Sequence, residues 1–216
     1  MSDHTVKAFS EQLEGLSASI AQMGGLAEAQ LTYAIDAIAR RDTSLAERAV
    51  GGDARIDAIQ IDVEDRALKL LALRQPMAID LRATLAAIKI ASELERIGDL
   101  AKNIAKRAIV LNREPPLRLT ASLARMGKQA MGQLKQVLDA YSDRNAQAAE
   151  AVWAQDGEID ETYNSLFREL LTYMMEDPRT IGSSTHLLFI AKNIERCGDH
   201  ATNIAEVVYH MVSAGH

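Results

Sequence analysis

Glu95 and Asp99 stand four residues apart in the segment Ile90-Ala91 to Glu95-Arg96-Ile97-Gly98-Asp99 and Asn103-Ile104-Ala105. The same segment returns as Ile190-Ala191 to Glu195-Arg196-Cys197-Gly198-Asp199 and Asn203-Ile204-Ala205. Ten of the eighteen positions between 88–105 and 188–205 are identical, which marks an internal duplication. Repeated apolar residues would follow from packing alone. Repeated carboxylates at helical spacing point to a site copied together with its fold. An earlier acidic pair precedes each copy, Asp53/Asp57 in the first half and Asp156/Asp160 in the second. A spacing of four puts both carboxylates of a pair on one helix face, one turn apart.

If the two acid-bearing helices of a half form an antiparallel hairpin, facing residues share a midpoint. Asp57 with Glu95 and Asp53 with Asp99 both centre on Pro76. Asp160 with Glu195 and Asp156 with Asp199 both centre between Asp177 and Pro178. Proline marks a turn in each case. Each hairpin therefore brings four carboxylates to one level, where their mutual repulsion opposes full ionisation. A cation relieves that repulsion. An all-oxygen donor set suits divalent or iron-type metal ions, namely Mg²⁺, Ca²⁺, Mn²⁺ or iron, with Zn²⁺ kept among the candidates. Carboxylates projecting from facing helices also build di-iron bundles. Asn103 and Asn203 could add a carbonyl ligand or a hydrogen bond behind the ligands. The competing reading is a plain solvated face. Ser92, Glu95, Asp99, Asn103 and Lys106 form one stripe, opposite Ile90, Ile97 and Ile104. That geometry places the metals on a bundle surface, open to solvent or to a partner, and not in a sealed catalytic pocket.

The elements that must position these acids are helices. Ala, Leu, Ile, Glu, Arg and Lys dominate, and the four prolines fall at breaks. The periodicity predicts helices near 5–40, 43–74, 77–111, 117–141, 144–175 and 181–213. Asp42-Thr43-Ser44 reads as a turn with an N-cap, and Ser142-Asp143 as its counterpart. The repeat runs the length of the chain. Met23-Gly24 matches Met126-Gly127, and Asp53-x-x-Ile56-Asp57 matches Asp156-x-x-Ile159-Asp160, at an offset of 103 that becomes 100 after the hairpin. The expected fold is all-α: two tandem, pseudo-symmetric three-helix bundles built from six long helices, spanning 1–112 and 113–216 and divided at Asn112–Pro116.

Other residues yield weaker or negative readings. A net charge of −6 gives no push toward nucleic acid. One cysteine excludes an internal disulfide and fits a reducing compartment. Met1-Ser2-Asp3-His4 lacks an export signal, and no apolar run reaches the roughly 18–20 residues of a membrane span. A cytoplasmic protein is expected. His186, His210 and His216 lack zinc-hydrolase spacing, and no nucleophile–base pair stands out, so catalysis is not expected. His200 reads as an incidental surface residue, Cys197 as a small core residue, and Met23, Met126, Met174 and Met175 as bundle filler. Gly24-Gly25 and Gly51-Gly52 are not phosphate-cradling loops. Gly98 and Gly198 allow close helix approach or leave room beside the acids.

Leu71-Ala72-Leu73-Arg74-Gln75-Pro76-Met77-Ala78-Ile79-Asp80-Leu81-Arg82, followed by Glu95-Arg96-Ile97-Gly98-Asp99-Leu100-Ala101-Lys102-Asn103-Ile104-Ala105, resembles the PhoU family. The second copy, Asn193 to Ile204, resembles it too, and the likeness spans essentially the whole chain. The resemblance implies two similar three-helix bundles in tandem. It implies metal binding at Glu95/Asp99 and Glu195/Asp199, with Asp53/Asp57 and Asp156/Asp160 facing them. It also implies negative regulation of the phosphate-starvation response by an adaptor. Such an adaptor would couple the ATPase subunit of a phosphate ABC transporter to a membrane sensor histidine kinase. A homodimer, and a place at the inner membrane only through those partners, follow from the same resemblance. The polar Cys197-x-x-His200 departs from the apolar first copy, so the two metal sites are expected to differ in occupancy or partner. The alternative function is a di-metal carboxylate enzyme or metal-storage bundle, although the Glu-x-x-His pairs of ferritin-like sites are missing.

Overall fold

A computed structural model describes residues 2–74, 78–116 and 119–213, with side chains for 10–73, 80–116, 119–155 and 157–213. The chain is all-α and forms two tandem, pseudo-symmetric three-helix bundles. In the first half, α1 spans Ser2–Ala39, α2 Thr43–Gly51, α3 Asp53–Arg74 and α4 Ala78–Leu111. In the second, α5 spans Thr120–Ser142, α6 Ala146–Trp153, α7 Asp156–Glu176 and α8 Ile181–Ser213, with a 3-10 turn at Pro178–Thr180 before α8. The middle helix of each half is thus broken: α2 and α3 stand where the pattern predicts one helix over 43–74, and α6 and α7 where it predicts 144–175.

The breaks have a local cause. Gly51-Gly52 weakens the helix at the first. A buried side chain then enters the hydrogen-bond ladder there. Gln30 Nε2 donates to the carbonyl of Ala49 at 2.8 Å, the acceptor that an unbroken helix would offer to residue 53. Gln133, the repeat equivalent of Gln30, donates to the carbonyl of Gln155 at 3.3 Å, immediately before α7. Asp42 caps α2 by accepting from the backbone N–H groups of Ser44 and Leu45, as its sequence predicts. In the second half α5 runs on through Ser142, so the cap is not Ser142-Asp143; Asn145 takes that role by accepting from Ala148 N.

The second acid-bearing hairpin closes where its shared midpoint predicts. Asp177 ends α7 in extended backbone and accepts from Arg179 N in front of α8. Pro76 lies outside the described residues. Leu94, Ile97, Ile104, Ile190, Ile194 and Cys197 are all buried in one apolar core that runs through both halves. Met23 and Met126 fill that core, but Met175 is 84% exposed and does not.

The halves meet through equivalent residues used reciprocally. A Cβ on Gly24 of α1 would fall 2.5 Å from Leu138 Cδ2 of α5, and one on Gly127 of α5 would fall 2.5 Å from Ile35 Cδ1 of α1. Gly24 and Gly127 are repeat partners, as are Ile35 and Leu138. Each glycine is a hole for the other half's branched side chain, which is a pseudo-two-fold contact.

Arg41 and Arg144, also repeat partners, end α1 and α5 with φ of 53° and 48°. A side chain is disfavoured in this left-handed region. The Arg41 guanidinium donates to the carbonyls of Asn112 and Glu114, at 2.9 and 2.5 Å, and ties down the connection between the halves. Arg144 is exposed. Arg144→Gly should relieve about 1 kcal/mol of strain and raise Tm by roughly 2–4 °C in calorimetry. Arg41→Gly should show no such gain, because the same relief is offset by loss of two hydrogen bonds to the connection.

Candidate metal centre

The motif glycine and the buried glutamine together set where the acids fall. At Gly98 a Cβ would come within 3.0 Å of Ile56 Cδ1 and 3.2 Å of Gln30 Oε1. At Gly198 it would come within 2.7 Å of Ile159 Cδ1 and 3.3 Å of Gln133 Oε1. Each amide therefore occupies the space a motif side chain would need, and its Nε2 holds the helix break next to the first acid, Asp53 or Asp156. Gln30 and Gln133 were not singled out by the acidic spacing. Their identity at the repeat offset was the signal available for them.

In the first half, the pairing of Asp53 with Asp99 is realised through a third group. Lys102 Nζ donates to Asp53 Oδ2 on α3 and, at 2.7 Å, to Asp99 Oδ1 on its own helix α4. The lysine is 23% exposed and joins the two helices. Both aspartates hold its ammonium in the charged form and push its pKa above the usual lysine range. Asp57 and Glu95 lie near enough to feel the charges of Asp53 and Asp99. Burial, then the charges of Asp53 and Asp99 respectively, raises the pKa of each. Arg96 lies 3.7 Å from Glu95, on the solvent side.

In the second half, Asp160, Glu195 and Asp199 offer oxygens that all lie within 4.8 Å of one another, and among the described residues this is the one group so arranged. Glu195 is 8% exposed. Its Oε1 accepts from Lys192 at 2.6 Å, while its Oε2 is buried without a hydrogen-bond partner. Asp160 Oδ1 is buried and unpartnered as well. The side chain of Asp156 lies outside the described residues. Buried carboxylate oxygens without donors are costly. Three converging carboxylates with two such oxygens fit a hard or borderline cation.

The clusters are less open than the helix periodicity of α4 and α8 alone predicts. α3 and α7 pack over the acidic stripe, so Glu195 is buried and Glu95 and Asp53 are mostly covered. Asn203 is not drawn into its cluster. It donates to Glu93 Oε2 at 3.2 Å, in the other half. His200 is not an incidental surface residue either: it is half-buried, and its Nδ1 lies 2.6 Å from the same Glu93 oxygen. Glu93, His200 and Asn203 form a polar bridge between α4 and α8. Cys197 is core, as its position predicts, and burial pushes its thiol well above the usual range.

Two outcomes follow from these environments. Burial alone would raise the Glu93 carboxyl, but the hydrogen bonds from His200 and Asn203 prevail and hold it below its usual 4.5. A depressed folded pKa contributes stability above the unfolded value and loses it as pH falls through the folded one. Glu93→Gln should therefore lower Tm at pH 7, with the gap to wild type closing as pH drops below about 4. A thiol-alkylating reagent should label Cys197 in native protein only at the rate of global unfolding, read by mass spectrometry.

The PhoU domain model matches residues 20–108 and 123–208, once in each half. The phosphate-specific transport system accessory protein PhoU homolog of Caulobacter vibrioides is 57% identical over 210 residues, covering 97% of this chain and 91% of that protein. The homolog of the same description from Rhizobium meliloti is 48% identical over 211 residues, covering 97% and 89%. The crystal structure of PhoU from Pseudomonas aeruginosa superposes with a TM-score of 0.93 at 36% identity, over 95% of this chain and 99% of that one. The phosphate transport system regulatory protein PhoU from Streptococcus pneumoniae gives a TM-score of 0.88 at 30% identity, over 95% and 97%.

Proposed function

The chain belongs to the PhoU family, and on that premise we propose that it is a non-enzymatic accessory regulator of phosphate transport that binds metal through clustered carboxylates. The relatives are described as accessory or regulatory proteins of the phosphate-specific transport system, which supports the transport role. The observation that carries the metal reading is the second cluster, where Asp160, Glu195 and Asp199 converge and two buried oxygens have no donor. Asp53, Asp57, Glu95 and Asp99 occupy the corresponding positions of the first half, and Asp156 is the remaining member of the second. The partners in this reading are the ATPase subunit of a phosphate ABC transporter and a membrane sensor histidine kinase, with the protein acting as a homodimer. No helix among the described residues is long and apolar enough to cross a membrane. In this reading, contact with the membrane runs through those partners.

An adaptor of this kind works by binding one state of a partner more tightly than another. Two long, rigid hairpins with charged seams suit that task, since their surfaces are held by a single core. In cells grown in high phosphate, the tagged chain is expected to capture both the transporter ATPase and the kinase. Its deletion is expected to switch on phosphate-starvation genes in that medium. Recovery of neither partner overturns the adaptor reading, whereas turnover of oxygen or peroxide by metal-loaded protein would favour a di-metal enzyme.

A further inference from the structure

The two acidic clusters share a plan but differ by the place of one lysine. The first half has Ser92 and Lys102; the repeat positions in the second hold Lys192 and Thr202. Lys102 lies one turn beyond Asp99 and reaches across to Asp53, so its ammonium sits between acids of two helices. Lys192 lies at the other end, one turn before Glu195, is 47% exposed, donates to Glu195 Oε1 and sits over the Tyr163 ring. The uncharged Thr202 donates its hydroxyl to the backbone carbonyl of Asp199.

We infer that Lys102 is a tethered counter-ion that closes the first cluster to metal, so that the chain forms one metal centre, at Asp160, Glu195 and Asp199. This rests on the metal-binding reading of the clusters given above. Two charge-assisted hydrogen bonds already satisfy Asp53 and Asp99. An entering divalent ion must break both and then sit beside the displaced ammonium, which repels it. The tether also keeps that competitor at high effective concentration. In the second cluster the balance is reversed. Glu195 Oε2 and Asp160 Oδ1 are already stripped of water and lack donors, so an ion removes a penalty on arrival. The half-exposed Lys192 donates to Glu195 Oε1 and leaves Glu195 Oε2 without a donor.

The test is a titration of the full chain with Mn²⁺, following the free ion by electron paramagnetic resonance and the fold by circular dichroism. Wild type should bind a single tight ion per chain. Asp160→Asn with Asp199→Asn should weaken that binding by more than about tenfold. Asp53→Asn with Asp99→Asn should leave it unchanged. Lys102→Thr, which copies the second half, should add a second tight ion. Two tight ions in wild type, or loss of the ion in the Asp53/Asp99 variant, would overturn the inference while leaving the metal reading intact. A folded Lys102→Thr chain that still binds one ion would overturn it as well. No tight ion in either wild type or Lys102→Thr would overturn the metal reading itself, and this inference with it. If Lys102→Thr fails to fold, the two aspartate double variants decide the question alone.

Discussion

Two buried glutamine amides hold the architecture of this chain in register. Gln30 and Gln133 each spend a donor on a carbonyl at the break in the middle helix of their half. Each places its oxygen against the glycine of the Glu-Arg-x-Gly-Asp motif. Each amide thus has its nitrogen paired at the break, while its oxygen is buried against the glycine without a hydrogen-bond partner. A Cβ at 98 or 198 would crowd that oxygen, at 3.2 and 3.3 Å, and the Ile56 or Ile159 methyl more closely still. The break then lies immediately before α3 and α7, whose first residues are Asp53 and Asp156. Asp53 thus comes within reach of Lys102 on α4 because a glutamine and a glycine fix the start of the helix facing it.

That scaffold delivers the same electrostatic problem twice and two different solutions. Crowded carboxylates need positive charge nearby. In the first half Lys102 provides it from within, bridging the hairpin, and the remaining pair, Asp57 and Glu95, is pushed toward protonation. In the second half the lysine has moved to the rim, and buried oxygens remain without donors. The backbone plan was kept after duplication while the charge arrangement diverged.

The interface between halves shows the same history. Gly24 against Leu138 and Gly127 against Ile35 keep the symmetry, because close packing tolerates little change in volume. Glu93, His200 and Asn203 break it: their repeat equivalents are Asn193, Leu100 and Asn103, which cannot build the same charged bridge. A histidine that replaces a leucine at a half-buried position needs a partner, and the other half supplies one.

The all-helical class, the duplication, the turn at Asp177–Pro178 and the pairing of Asp53 with Asp99 were legible in the sequence. They depend on period, spacing and proline, which are local properties of the chain. The roles of Gln30, Gln133, Lys102 and His200 were not. Nothing in their local spacing separates them from ordinary helix residues, since each acts on a group between 3 and 107 positions away. Whether a carboxylate oxygen ends up beside an ammonium or buried without a donor depends on what the neighbouring helix brings across the gap. The sequence by itself determined that Asp53 would face Asp99; only the tertiary structure decided that Lys102 bridges that pair while oxygens of Glu195 and Asp160 stay without donors, because charge compensation is set by distances between helices and not by positions along them.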